Sequence, residues 1–252
     1  MIRRARPLLG TVVAISAEAP MAALDAAFAT IERIHWLMSA QSGDSDVARI
    51  NRDGHQQAVA VNPWTLEVLR EALRISEMTG GAFDVVVPGR GARHVDVVLE
   101  ASHVRLRRRA DIDLSGIAKG FAVDLAVEAL LANGASAGSV NAGGDLRFFG
   151  DWPGGVRVRV PNDPRRAVTL PALRHDAFAT SCGYFGSVLH DGRSGKSEPL
   201  EWSITVGAAS CLIADALTKV VALLGPAREL LAAFDACAFA VAPSGELHAP
   251  AG

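Results

Sequence analysis

The chain has 252 residues, half of them hydrophobic, with Lys+Arg 25 against Asp+Glu 27. That length supports a substantial core, and the near-neutral balance argues against a nucleic-acid binder that depends on many phosphate contacts. Cys182, Cys211 and Cys237 have no CxxC spacing and are odd in number, so neither a disulfide framework nor a zinc site is indicated and buried thiols are expected.

Residues 1–6 are basic and residues 8–15 apolar, the pattern of a signal peptide's first two regions, but the apolar run is short and contains Gly10 and Thr11, so a first strand over 11–16 is preferred. No run approaches the ~20 apolar residues of a membrane span. Over residues 22–38, Leu24, Phe28, Ile31, Ile34 and Leu37 recur at helical spacing and predict an amphipathic helix. Residues 41–54 read as a polar loop. Asn62 as cap and Pro63 at the first helical position begin a second helix, which Gly80-Gly81 stops.

Residues 83–87, 94–99, 104–106 and 111–114 read as strands, followed by a helix over 117–131. Residues 139–149 look like a strand broken by a glycine turn. Residues 156–160 alternate Val and Arg, the pattern of a strand with one wet face. A short strand over 177–180, a loop-rich stretch over 183–199 and a strand over 202–208 come next. Helices over 212–224 and 226–234 and a strand over 237–242 complete the chain. Helices and strands mix without a strict βαβ rhythm. The expectation is an α+β fold of one domain over 1–252, with mixed or antiparallel sheets packed against helices.

Several segments are small, glycine-rich and acidic where a core needs bulk. In Asp113-Leu-Ser-Gly-Ile-Ala-Lys-Gly-Phe-Ala-Val-Asp124, Gly116 and Gly120 let backbone approach a ligand. Lys119 and the unpaired N–H groups of a helix start add positive charge. This suits a phosphate or pyrophosphate, although the spacing is neither the dinucleotide fingerprint nor a P-loop. A glycine-rich corner with a solvated lysine satisfies the same pattern.

Asp215 stands in an otherwise apolar helix, where a lone carboxylate is costly unless paired. A hard cation such as Mg²⁺ would resolve that cost, and so would the positive end of the helix dipole. Asp145 after Gly143-Gly144, and Asp84 after Gly80-Gly81, suit either ligand contacts or their own turns. His190 beside Asp191 is either an acid–base group or an exposed loop residue. Ser181 and Cys182 have no base identifiable near them, so no hydrolase triad is indicated.

Gly10-Thr11, Met38-Ser39, Ser45-Asp46-Val-Ala-Arg-Ile-Asn51, Thr79-Gly-Gly-Ala-Phe-Asp84, the Asp113 segment, Asn141-Ala-Gly-Gly-Asp145, Ala179-Thr180-Ser181, Asp191-Gly-Arg-Ser-Gly195 and Ala214-Asp215-Ala216-Leu217 follow in order. Together they resemble the ApbE family, the FAD:protein FMN transferases, over almost the whole chain. The resemblance implies an FAD cleft between subdomains and Mg²⁺-dependent transfer of FMN from FAD to a Thr or Ser hydroxyl of an acceptor flavoprotein, releasing AMP. By motif position it implies Asp215, the Ala118 carbonyl and Thr218 at the metal, and Asp215, His190 and Lys119 in catalysis. Met38, Asp84, Gly116, Lys119, Asn141, Gly143, Gly144 and Asp145 would line the bound dinucleotide.

Three positions depart from the family pattern. An aromatic that follows Met-Ser by two residues is Gln41 here. The family's His-x-x-Asp-Pro-x-Thr-Gly corresponds to Val188-Leu-His190-Asp191-Gly-Arg-Ser-Gly195, with the histidine displaced. The hydroxyl four residues after Asp215 is replaced by Lys219, with Thr218 one position earlier. Either Thr218 supplies the oxygen from a shifted turn, or the metal site is altered and the lysine supplies part of the cation's charge. An FAD pyrophosphatase and a non-catalytic FAD-binding protein remain the competing expectations. With no lipobox cysteine and a first strand near residue 11, the expected location is the cytoplasm, or the periplasm if a leader has been removed.

Overall fold

Leu9 and Gly10 take φ of 55° and 70°, the conformation whose twist suits a two-residue hairpin. Strands β1 (Ile2–Leu8) and β2 (Thr11–Glu18) pair antiparallel across that turn. The basic pattern of residues 1–8 alone does not announce β1. It forms because its arginines have partners on α1 (Met21–Met38). Arg4 bonds Asp25 at 2.5 Å and Arg6 bonds Glu32 at 2.9 Å. The Arg6 guanidinium also lies 4.5 Å from the centre of the Phe28 ring.

The computed structural model describes residues 1–171, 174–183 and 188–249. Residues 184–187 of the expected loop-rich stretch lie outside that set. The chain divides into two compact units, one of residues 1–32, 119–189 and 199–252, the other of residues 33–118 and 190–198.

In the first unit the remaining sheet strands are β6 (Ala137–Ala142), β7 (Asp145–Phe149), β10 (Ala177–Ser181), β13 (Ser203–Ala208), β14 (Cys237–Val241) and β15 (Leu247–His248). With β1 and β2 they form an eight-stranded sheet in the order β1-β2-β6-β7-β10-β13-β14-β15. Every neighbouring pair is antiparallel, so the alternative of a mixed sheet is not realised. The broken strand expected over 139–149 is the β6–β7 hairpin. Gly143 and Gly144 turn it with φ of 65° and 110°, and a side chain on Gly143 would collide with Thr11. A smaller hairpin, β8 (Arg157–Val160) and β9 (Asp163–Thr169), contributes Val158 and Val160 to a cluster with Phe178, Phe239 and Val241.

Helix α5 (Cys211–Leu224) packs on β10 and β13, and β13 is buried along its whole length. A short helix, α6 (Arg228–Ala233), precedes β14. Helix α4 (Ala118–Ala132) meets the start of α5 at Gly120. A Cβ on Gly120 would press on the backbone of Cys211 and Leu212, so only glycine admits this approach.

In the second unit, α2 (Asp46–Asp53) occupies part of the expected loop. Ser45 caps it by accepting from the Ala48 amide at 2.9 Å, and Val47 and Ile50 anchor it in the core. Helix α3 (Pro63–Met78) begins as expected, with Asn62 accepting from the Trp64 amide at 3.0 Å. A three-stranded sheet of β3 (Val59–Ala60), β5 (His103–Leu106) and β4 (Val97–Glu100) lies in this unit. Residues 83–87 and 111–114 do not form the expected strands and share a single bridge, Val86 with Ile112. The Asn51 side chain takes both backbone groups of Ile112, at 2.7 and 3.0 Å, on the edge facing away from Val86, where a further strand would otherwise pair. Strands β11 (Val188–His190) and β12 (Ser197–Pro199) pair as a short ribbon.

Because Gly120 touches backbone and not a flexible side chain, Gly120→Ala is expected to cost about 2–3 kcal/mol by overpacking. Urea unfolding of the variant against the wild type checks this.

Candidate functional site

The starts of α4 and α5 interlock through two carboxylates. Asp124, on α4, accepts from the amides of Cys211 at 3.0 Å and Leu212 at 2.9 Å. Ser210 accepts from the Ile213 amide at 3.3 Å. The first three amides of α5, which a helix cannot satisfy internally, are thus all met. In return Asp215, on α5, accepts from the Gly120 amide at 3.2 Å in the first turn of α4. Each helix carries an acid that caps the other and complements its positive end. Arg147 of β7 bonds Asp124 at 2.7 Å and balances its charge.

Asp215 is fully buried. One of its carboxylate oxygens bonds the ammonium of Lys219, one helical turn later on α5. The other faces the Gly120 amide and lies 3.5 Å from the ammonium of Lys119. Lys119 also bonds Asp145, a buried acid at the start of β7. Lys219 reaches the Asp215 carbonyl as well, at 2.9 Å. Thr218 donates its hydroxyl to the same carbonyl at 2.7 Å and stands 2.7 Å from the Ser181 hydroxyl of β10.

Two carboxylates and two ammonium groups form a quartet with no net charge. Burial works against the charge on Lys119, but the charges of Asp215 and Asp145 outweigh it and hold the ammonium well above the usual lysine range. Burial disfavours the charged Asp215 too, yet Lys119, Lys219 and the Gly120 amide hold its carboxyl below the ordinary value. Asp145 goes the other way. Burial and the charge of Asp215 push it up to about 6, against the pull of Lys119 and Lys219. The Cys211 thiol, buried beside these acids, is pushed well up, which makes it a poor nucleophile.

The quartet bears on the metal ligands that the resemblance implies. Mg²⁺ asks for near-octahedral oxygen ligands. The Asp215 oxygens are already shared among two ammonium groups and an amide, whereas Thr218, having given its proton to a carbonyl, keeps an oxygen lone pair. Among the described residues no three His, Cys, Asp or Glu side chains are grouped to hold a metal ion. As it stands, Asp215 does not fit a divalent cation, because Lys219 sets a positive charge on its carboxylate where an ion would bind. The Ala118 carbonyl, the third expected ligand, belongs to the residue that opens α4.

The other expected residues divide between the units. Asn141, Gly143, Gly144 and Asp145 share the β6–β7 hairpin, where Asn141 accepts from the Gly144 amide at 3.2 Å. Met38, Asp84, Gly116 and His190 lie in the second unit. Asp84 is held by its own surroundings, bonding the Val86 amide at 2.9 Å, the His94 amide at 3.0 Å and the His94 ring at 2.9 Å. Met38 is buried and Gly116 sits in the turn before α4. His190 is exposed, with Nδ1 2.7 Å from the Ser197 hydroxyl. Asp124 and Arg147 were not singled out by sequence reasoning. The signal was present for Asp124, an acid inside an apolar helix like Asp215.

The sequence profile of the ApbE family matches residues 9–89 and 89–239. The chain belongs to the ApbE family. It is 29% identical to the FAD:protein FMN transferase of Vibrio cholerae, over 81% of this chain and 73% of that protein. The protein of the same name from Salmonella typhimurium is 25% identical, over 84% of this chain and 74% of its own length. Among solved structures, the ApbE protein of Thermotoga maritima superposes with a TM-score of 0.82 at 26% identity, covering 98% of this chain and 96% of that one. The flavin transferase ApbE of Vibrio cholerae shares the fold, with a TM-score of 0.83 over 99% of this chain and 97% of its own.

Two outcomes follow from the interlock and the quartet. Asp124→Ala strands two helix amides and the Arg147 guanidinium, and is expected to cost about 3 kcal/mol in urea unfolding. Asp145 is raised to about 6 from the ordinary 3.8, so its contribution to stability is fully present below 3.8 and is lost as pH rises through about 6. A carbon-13 NMR titration should show the Asp145 carboxyl midpoint near 6, and Asp145→Asn should remove that step from the pH profile of the urea midpoint.

Proposed function

We propose that this chain is an FAD:protein FMN transferase, moving FMN from FAD to a Thr or Ser hydroxyl of an acceptor flavoprotein and releasing AMP. The observation that carries this reading is the ammonium of Lys119 at the first turn of α4, between the buried acids Asp145 and Asp215. A helix start with a fixed cation suits a diphosphate. The family membership and the names of the two curated relatives support the flavin nucleotide as its owner.

In this reading the acceptor hydroxyl oxygen forms a bond to the FMN phosphorus. The bond from that phosphorus to the bridging oxygen breaks, and AMP leaves with the electron pair. Lys119 donates to the phosphate oxygens on which negative charge builds, in a setting already fixed before the reaction. The hydroxyl proton passes to a base. No role is derived for His190, which is exposed in the second unit. Mg²⁺ dependence, the finer expectation from the family, finds no matching donor set, and no step is routed through a divalent ion.

Incubating the protein with FAD and a threonine-bearing acceptor, followed by mass analysis of the acceptor and separation of the nucleotides, tests the proposal. A covalent FMN adduct with one AMP per adduct is expected. Free FMN and AMP without an adduct would mean hydrolysis, and intact FAD would mean binding alone. Either result rejects transfer. Lys119→Ala is expected to weaken FAD binding about tenfold or more, by loss of a charge-assisted contact. An unchanged dissociation constant would remove Lys119 from the phosphate site.

A further inference from the structure

We propose that Lys219, together with Lys119, is a cation built into this chain that receives the diphosphate of its dinucleotide substrate, so that FAD binds without a divalent metal ion. The inference rests on the flavin-nucleotide reading of the same site and deepens it.

The geometry begins with spacing. Lys219 follows Asp215 by four residues on α5, which puts both side chains on one face of the helix. Its ammonium bonds one carboxylate oxygen of Asp215 and, at 2.9 Å, the carbonyl of the same residue. The other carboxylate oxygen faces Lys119 at 3.5 Å. Lys119 in turn bonds Asp145. The two acids are therefore neutralised by two single charges of the chain, the same total that one divalent ion would bring.

That arrangement leaves little drive for such an ion to enter. It would have to displace Lys219 from Asp215 while the tether of one helical turn keeps the displaced ammonium in the same recess. Three positive centres, the ion, Lys219 and Lys119, would then crowd one buried carboxylate that now holds two, adding like-charge repulsion at low effective dielectric.

The lysines also retain what an anionic ligand needs. An ammonium has three N–H donors. Lys219 spends two on Asp215, and Lys119 spends one on Asp145 and directs one, at long range, to Asp215. One donor of each remains without a partner among the described residues. The Lys119 side chain is 30% exposed and that of Lys219 is 17%, whereas Asp215 is closed off. The two lysine side chains are thus partly open to solvent where the acid between them is not. Burying four charged groups gains little stability over apolar packing, and this placement gives them work to do on a ligand.

The test is an equilibrium titration of FAD into the full chain, followed by flavin fluorescence, once in excess EDTA and once in excess Mg²⁺. The dissociation constant should agree between the two within about threefold. A stronger dependence on Mg²⁺ overturns the inference but leaves the flavin reading standing. No FAD binding in either condition overturns both. Mn²⁺ added without nucleotide provides a second readout by electron paramagnetic resonance. The wild type should leave Mn²⁺ free, and Mn²⁺ bound at the quartet overturns the proposal. Lys219→Met, with its fold confirmed by thermal melting, should bind FAD about tenfold more weakly in EDTA and regain affinity with Mg²⁺. Unaltered affinity in EDTA would show that Lys219 does not touch the diphosphate.

Discussion

Two helices of this ApbE-family chain are each capped by an acid that the other carries, and the candidate site exists because of that exchange. Asp124 holds the first amides of α5, and Asp215 holds an amide in the first turn of α4. Gly120 lets the two backbones come close enough for both bonds to form. Were the helix starts farther apart, Lys119 could not stand beside Asp215, and the sheet strand carrying Asp145 would face a recess without its partner charges.

The interlock also explains how an acid as buried as Asp215 stays ionised. Its charge is matched by an amide dipole and two ammonium groups, all anchored on secondary structure. Asp145 is buried, feels the nearby charge of Asp215 and, among the described residues, is bonded by the Lys119 side chain alone, so its carboxyl rises. Two acids of one chemistry are thereby driven to opposite protonation behaviour by the order in which the lysines reach them. This separation is how neighbouring carboxyl groups take different roles in phosphoryl and acyl chemistry.

Much of this was legible in the sequence, where the signals were local. Asn62 and Pro63 announced α3, and Gly143-Gly144 announced the turn of the β6–β7 hairpin. Asp215 stood out because an acid in an apolar helix needs a partner. Helix α2 was hidden by the polar composition around it, since only Val47 and Ile50 reach the core. Strand β1 was hidden because its arginines look like a flank until Phe28, Asp25 and Glu32 supply partners. The strand expected at 111–114 shrinks to one bridge with Val86, and a side chain, Asn51, covers the other edge of Ile112 in place of a neighbouring strand. Asp124 carried the same mark as Asp215, an acid in an apolar helix, but nothing in the sequence named what it binds. Its partners are backbone amides 87 and 88 residues away, and a sequence carries no residue-type mark for a backbone donor. The direction in which Lys219 points depends equally on the tertiary fold.

Chain order adds a consequence for biosynthesis. Lys119 and Asp145 lie near the middle of the polypeptide, while Asp215 and Lys219 come with α5, which follows β13 in the chain. Contacts of such long sequence separation form slowly. A nascent chain emerging from the ribosome therefore possesses half the charge cluster well before the other half has been translated. The cluster is complete only after the carboxy-terminal portion has docked, which ties its assembly to completion of the fold.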